Sequence, residues 1–485
     1  MKQAAAAGRD GRRLARGMVA QIVATLARFA SQLVVLPILF AAWDAPRVGT
    51  WLLLVALPTT FAIFATGFAG AGGNACLAAW RDGKKHEARG RFAASWIMAT
   101  ATSAALSLLF IAAAAAVLVM PSDRVPELLL GASAADRTDI ARALALLGLY
   151  MFSLAQFALL DIPFRLAGRY GDHMLIAALG LMGDVLAIAL ALSIGEGYTL
   201  VAGTMAVGRL VVGLATFVWA RRLVPDLFGG PRTRFRPAFK DIAGPSLALM
   251  LLPLALGLNL QGYALAVGFA FGPAVLAAFA MTRTLVRLLD VATGLLFSFQ
   301  FYEAGYWDAD RTGVRRRQLA TMTLVTLLLS GLFAAMVLLA GPFLQTRLSD
   351  GDTRFASDVA LVLLAAGTMR ALAVNPIALL AADNRLAHLP VLYCVTSLVA
   401  LALAALAGAV DLPLWLTLTP LIVVEAMQAA LVFRAVLRDL DETWAAFLRR
   451  LASRERWSDC RVLAGRIASG MLPQKDLAAG DRGDV

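Results

Sequence analysis

Arg283, Arg287 and Asp290 lie at i, i+4 and i+7 inside an apolar run, residues 274–299, long enough to cross a bilayer. At 3.6 residues per turn the three share one helix face. An arginine at mid-membrane costs roughly 2.5–3.5 kcal/mol on insertion scales, so such a stripe requires a wet cavity or partner charges. Its natural chemistry is recognition of an anion, because a guanidinium binds phosphate or carboxylate through paired hydrogen bonds. The competing reading is an Arg–Asp pair that satisfies itself on the helix. Gln21, Thr25, Arg28 and Gln32 form a second polar stripe, with Arg28 near the middle of the first apolar run. Asp184, Arg209, Arg370 and Glu425 are further charges within apolar runs. For each of these four, pairing with another buried charge is at least as good a reading as contact with cargo. The candidate substrate-binding set is Arg28, Gln32, Gln261, Arg283, Arg287 and Arg370. The candidate coupling or charge-pair set is Asp184, Asp290 and Glu425.

The elements that must hold these residues are membrane helices. Of 485 residues 60% are hydrophobic and 16% charged, with mean hydropathy +0.75; a soluble domain is nearer ~25% charged. Runs of about 20 apolar residues recur along the chain. Twelve spans are expected: 18–40, 49–71, 92–120, 140–160, 174–194, 198–220, 242–268, 274–299, 319–339, 358–381, 389–410 and 414–436. The fold class is therefore all-α and polytopic. Basic residues gather in alternate loops, among them Arg81, Lys84, Lys85, Arg221, Arg222, Arg315, Arg316 and Arg317, whereas the opposite loops hold few. By the positive-inside rule both termini are cytoplasmic. The net charge of +12 is thus placed at a membrane face rather than on nucleic acid. The basic N-terminus runs into the first span without a small-residue cleavage site, so that span is expected to be retained, with a signal peptide as the alternative.

The chain repeats. Trp80 and Trp307 each head a polar loop 227 positions apart, Arg169 and Arg385 are 216 apart, and Gln32 and Gln261 are 229 apart. Three weak matches in order argue for two six-helix lobes in parallel orientation. The expected divisions are 1–17, N-terminus; 18–220, N-lobe; 221–241, linker; 242–436, C-lobe; and 437–485, tail. The span 2 equivalents of Arg283, Arg287 and Asp290 are Ala56, Thr60 and Ile63, so the charges belong to one copy only. Arg209 and Glu425 are equivalents of opposite sign. Pro46, Pro58, Pro245, Pro253, Pro376 and Pro420 read as kinks. In the tail, Leu437, Leu440, Trp444, Phe447, Leu448 and Leu451 recur at helical spacing among arginines, which fits either a basic amphipathic helix on the inner leaflet or a solvated tail. Disorder is expected beyond about residue 470.

Enzyme motifs are missing. There is no Walker loop and no HExxH. Asp308-Ala309-Asp310 matches a metal-binding DxD, but in a short loop, where solvation explains it. Cys76, Cys394 and Cys460 have neither metal nor disulfide spacing. His86, His173 and His388 read as residues of short polar loops. No cofactor and no metal are expected.

The segments LPILFAAWDAPRVGTWLLLVALPTTFAIFATGFAGAGGNACLAAWRDGKKHEAR, LQGYALAVGFAFGPAVLAAFAMTRTLVRLLD and NPIALLAADNRLAHLPVLY resemble Wzx-type polysaccharide (O-antigen) flippases of the multidrug/oligosaccharidyl-lipid/polysaccharide (MOP) exporter superfamily. The resemblance covers most of 12–438. It implies two lobes in the bacterial inner membrane around a cationic cavity of alternating access. It also implies a cargo, an undecaprenyl-diphosphate-linked oligosaccharide moved to the periplasmic leaflet for surface polysaccharide assembly, and partners in membrane lipid and the polysaccharide polymerase machinery. The related lipid II flippases place arginines in spans 1, 2 and 8; Arg28, Arg283 and Arg287 match spans 1 and 8, and span 2 has none. The multidrug branch uses acids in spans 1, 2 or 7, where this chain has none. A multidrug/cation antiporter, a lipid II flippase and a scaffold of a polysaccharide-synthesis complex stand as the alternatives.

Overall fold

The computed structural model describes residues 2–119, 134–195, 197–229, 239, 251, 254–294, 312–382 and 389–468. The DxD loop, most of the 221–241 linker, Pro245, Pro253 and the tail beyond 468 lie outside these, so the expectations placed on them do too.

The elements in chain order are α1 (Lys2–Ala42), α2 (Ala45–Arg81), α3 (Lys85–Val119), α4 (Ala134–Leu159), α5 (Asp161–Leu166), α6 (Tyr170–Ile194), α7 (Tyr198–Leu223) and α8 (Pro225–Phe228). A π turn over Leu258–Gly262 leads into α9 (Tyr263–Phe271), followed by α10 (Pro273–Val286). Then come α11 (Thr312–Leu348), α12 (Ser357–Ala382), α13 (Leu389–Ala409), α14 (Leu414–Thr417), α15 (Thr419–Asp439), α16 (Trp444–Leu451) and α17 (Arg454–Ala468). No strand occurs among the described residues. A backbone in hydrocarbon must satisfy its polar groups within one segment, and helices do so. Ten of the described helical segments are long and apolar enough to cross a membrane. The second and eighth expected spans fall on α2 and α10, so each of the twelve has a helix.

Helix ends follow the local sequence. Asp44 caps α2 by accepting the Arg47 N–H at 3.0 Å. Pro46 therefore stands at the start of a helix, where its missing N–H costs nothing. Pro420 is likewise the second residue of α15. Pro46 is thus not the kink expected of it; Pro420 follows an interruption at Leu418 inside the twelfth span, and Pro58 and Pro376 sit inside helices. Gly272, at φ +85°, separates α9 from α10, a conformation that favours glycine.

Two compact units are present. The first comprises residues 1–288, 337–363 and 388–424. Its core includes Leu39, Trp43, Trp51, Phe110, Leu147, Met151, Tyr198 and Met281. Here α2 and α10 touch backbone to backbone: a Cβ on Gly49 would stand 1.8 Å from the Pro273 carbonyl oxygen. Trp43, Trp51 and Tyr198 cluster in the same core, with Trp43 edge-on to the other two rings and centroids 5.0–6.4 Å apart. The second unit comprises residues 289–336, 364–387 and 425–485. Within it Asn375 donates to Thr326 at 3.0 Å, both side chains buried.

Candidate functional site: intramembrane arginines and carboxylates

Three charge centres lie within the apolar helices. The first is in α10. Thr282 and Thr284 bond back to carbonyls four residues earlier, and Thr282 also reaches Gln345 at 2.8 Å. Gln345, near the end of α11, is fully buried and donates to the Ala278 carbonyl of α10 at 3.4 Å. Held in this way, α10 directs Arg283 to the π turn, where the guanidinium donates to the Leu260 carbonyl. A π turn displaces carbonyls from the usual ladder, so one is on offer to a side chain. The guanidinium carbon lies 5.2 Å from the Phe279 ring centroid, a cation–π contact. Gln261 sits in the same turn, half-buried. Its neighbour Asn259 is buried and donates to the Tyr393 hydroxyl at 3.0 Å.

Span 8 is not the uninterrupted helix expected from its sequence. It stops at Val286, with Arg287 at φ −67°, ψ −7°, and residues 288–294 are helical again. The Arg287 N–H still reaches the Arg283 carbonyl at 2.9 Å. Asp290 lies beyond the break, in the second unit.

That unit holds the second centre. Arg370 on α12 lies between two carboxylates, with Nε and Nη2 on Asp290 at 3.0–3.1 Å and Nη1 on Glu425 at 3.1 Å. Glu425, on α15, is fully buried. A guanidinium is a planar fork of five donors, so one Arg can hold two carboxylates at once. Arg370, expected among the substrate ligands, is thus engaged with Asp290 and Glu425.

The third centre is in the first unit. Arg209 on α7 grips Asp184 on α6 through Nε at 2.9 Å and Nη2 at 2.5 Å. Tyr150 on α4 adds its hydroxyl at 2.8 Å. Gly180 makes room: a Cβ there would meet the Arg209 guanidinium at 2.5 Å. Asp184 is a member of a closed charge pair.

Arg28 is exposed on α1 and Gln32 half-buried. Sequence reasoning missed Asn259, Tyr393, Tyr150 and Gln345. The cluster Gly257-Leu-Asn-Leu-Gln-Gly262 was the available signal, as glycines flanking amides mark a place where helix geometry gives way. It also misplaced His173, which is in the first turn of α6, buried, stacked 4.6 Å from Phe157 and 3.6 Å from Asp161.

No family model and no curated protein matches the chain. Solved structures do resemble it. An inward-facing multidrug resistance MATE family transporter of the MOP superfamily aligns with TM-score 0.66 and 14% identity, over 86% of this chain and 98% of its own. An outward-facing multidrug resistance MATE transporter of that superfamily gives 0.58 and 15%, over 88% and 94%. A MOP superfamily transporter from Pyrococcus furiosus gives 0.51 and 14%, over 89% and 95%; its description says that the reverse polarity of its binding pocket suggests a different function. At such identities the likeness concerns the fold: this chain is a polytopic helical membrane protein with the fold of the MATE transporters of the MOP superfamily.

Proposed function

We propose that the chain is a flippase that moves a polyprenyl-diphosphate-linked oligosaccharide across the bacterial inner membrane by alternating access of two six-helix lobes. The observation that carries this reading is the Arg283 seat. Two guanidiniums lie one turn apart within an expected span: Arg283, in the last turn of α10, donates to the Leu260 carbonyl and lies over the Phe279 ring, and Arg287 follows at the helix break. A cargo carrying two phosphates would offer such a pair of cations charge-assisted, bidentate hydrogen bonds, the stronger kind. The acids support the same reading. Asp184 and Glu425 are held by Arg209 and Arg370, and spans 1, 2 and 7 contain neither Asp nor Glu. Sugars would occupy the polar groups near Gln261, and the prenyl chain would remain in lipid. Both termini are placed in the cytoplasm.

The second reading is a cation-linked drug exporter. It is favoured by the cluster in which two carboxylates share Arg370. Depletion in the native bacterium separates the two. The flippase reading expects a polyprenyl-diphosphate oligosaccharide to accumulate in the inner leaflet while surface glycan falls. An unchanged glycan with increased sensitivity to cationic drugs would overturn it in favour of the exporter.

A further inference from the structure

The chain folds back where its last long apolar helix ends. Residues 440–443 turn sharply, with Asp441 at φ +49°, and Thr443 caps α16 by accepting the Ala446 N–H at 3.3 Å. The rings of Trp444 and Phe447 then lie 5.8 and 5.5 Å from that of Phe433. Phe433 precedes the end of α15 by six residues, about 9 Å along the helix. The start of α16 therefore lies beside the final turns of the last long apolar helix.

The turn before α16 and the helix after it, α17, are both latched to the start of α11. Arg316 donates to the carbonyls of Leu440 at 2.8 Å and Asp441 at 2.9 Å. Arg317 pairs with Asp459 at 2.6 Å. Arg456, only 4% exposed, pairs with the same Asp459 at 2.6 Å and reaches Thr321 at 3.3 Å. The latch fixes which residues face outward. They are Trp444, Leu448 and Trp457, 45%, 54% and 45% exposed, with Arg449, Arg454 and Arg461. Glu455 is the single exposed acid from 444 to 461 among the described residues.

We propose that this outward face, Trp444 to Arg461, is a docking surface for the acidic phospholipid of the bilayer that the chain spans. Tryptophan and leucine flanked by arginine is the composition of interfacial helices. Anionic headgroups attract cations near the membrane surface, and three arginines contribute on the order of 100-fold in association at low salt. The surface does not depend on the identity of the cargo.

The test uses the full-length protein, its native cysteines replaced, carrying Leu448→Cys with a polarity-sensitive fluorophore. It is reconstituted in nanodiscs of phosphatidylcholine alone or with 30% phosphatidylglycerol. The expected result is a blue-shifted emission, quenched by lipid-borne nitroxide, in the acidic discs, at least twofold weaker in phosphatidylcholine. Arg449→Gln/Arg454→Gln/Arg461→Gln should abolish the difference and the corresponding Lys variant retain it, both eluting as monodisperse protein. Emission indifferent to lipid charge, whether polar or apolar in position, overturns the proposal, as does docking that survives the Gln variant.

Discussion

At the residue scale, the three charge centres call for different experiments. Asp184 accepts from Nε and Nη2 of Arg209 and from the Tyr150 hydroxyl. Removing one partner of a buried pair leaves an uncompensated charge, which costs about 3–5 kcal/mol. Asp184→Asn should therefore lower thermal stability in detergent by that order, and Asp184→Leu with Arg209→Met should restore most of it. Equal destabilisation by the double variant would mean that the pair itself contributes net stability. Arg283 and Arg287 call for a different experiment. Under the flippase reading each Gln variant loses a charge-assisted bond to phosphate, about 1.5–3 kcal/mol and thus tenfold or more in affinity. Surface glycan should fall with expression unchanged, and Arg287→Lys should retain more export than Arg287→Gln, because charge persists without the fork. Asp290 is held by Arg370, so Arg287→Gln combined with Asp290→Asn should not recover export. Full recovery would identify a structural pair instead.

At the element scale, two helices owe their positions to a missing side chain. The α2–α10 approach leaves no space for a Cβ at Gly49 against the Pro273 backbone, and backbone cannot move aside as a flexible side chain does. Gly49→Leu should separate these helix ends. A disulfide between cysteines placed at Thr50 and Ala274 should then form far more slowly than in the Gly49 background, and crosslinking at an unchanged rate would show that the contact is dispensable. The break at Arg287 belongs to this scale too. The 3.6-residue period finds residues that share a face of an ideal helix, but Arg283 and Asp290 lie on either side of an interruption. Periodicity has no term for that. The apolar run itself continues through the interruption.

At the scale of the whole molecule, topology is testable without knowledge of the cargo. Under the proposed orientation, a cysteine at Gly351 should react with an impermeant thiol reagent from outside intact cells, and cysteines at Gly83 and Gly229 should not, in a background lacking Cys76, Cys394 and Cys460. The reverse pattern would overturn the orientation, which rests on the distribution of arginine and lysine. The sequence by itself determined the class and the succession of helices, because in hydrocarbon a long apolar run has few alternatives to a helix. It also determined that Asp184, Arg209, Asp290, Arg370 and Glu425 lie within spans. What it left open was which of them meet. The offset between Arg209 and Glu425 related two positions of opposite sign, yet each found its partner elsewhere, Arg209 in Asp184 on the preceding helix and Glu425 in Arg370, 55 residues away. Hydropathy records the cost of a charge in one helix; its compensation comes from a neighbouring helix, and only tertiary packing decides which helix that is.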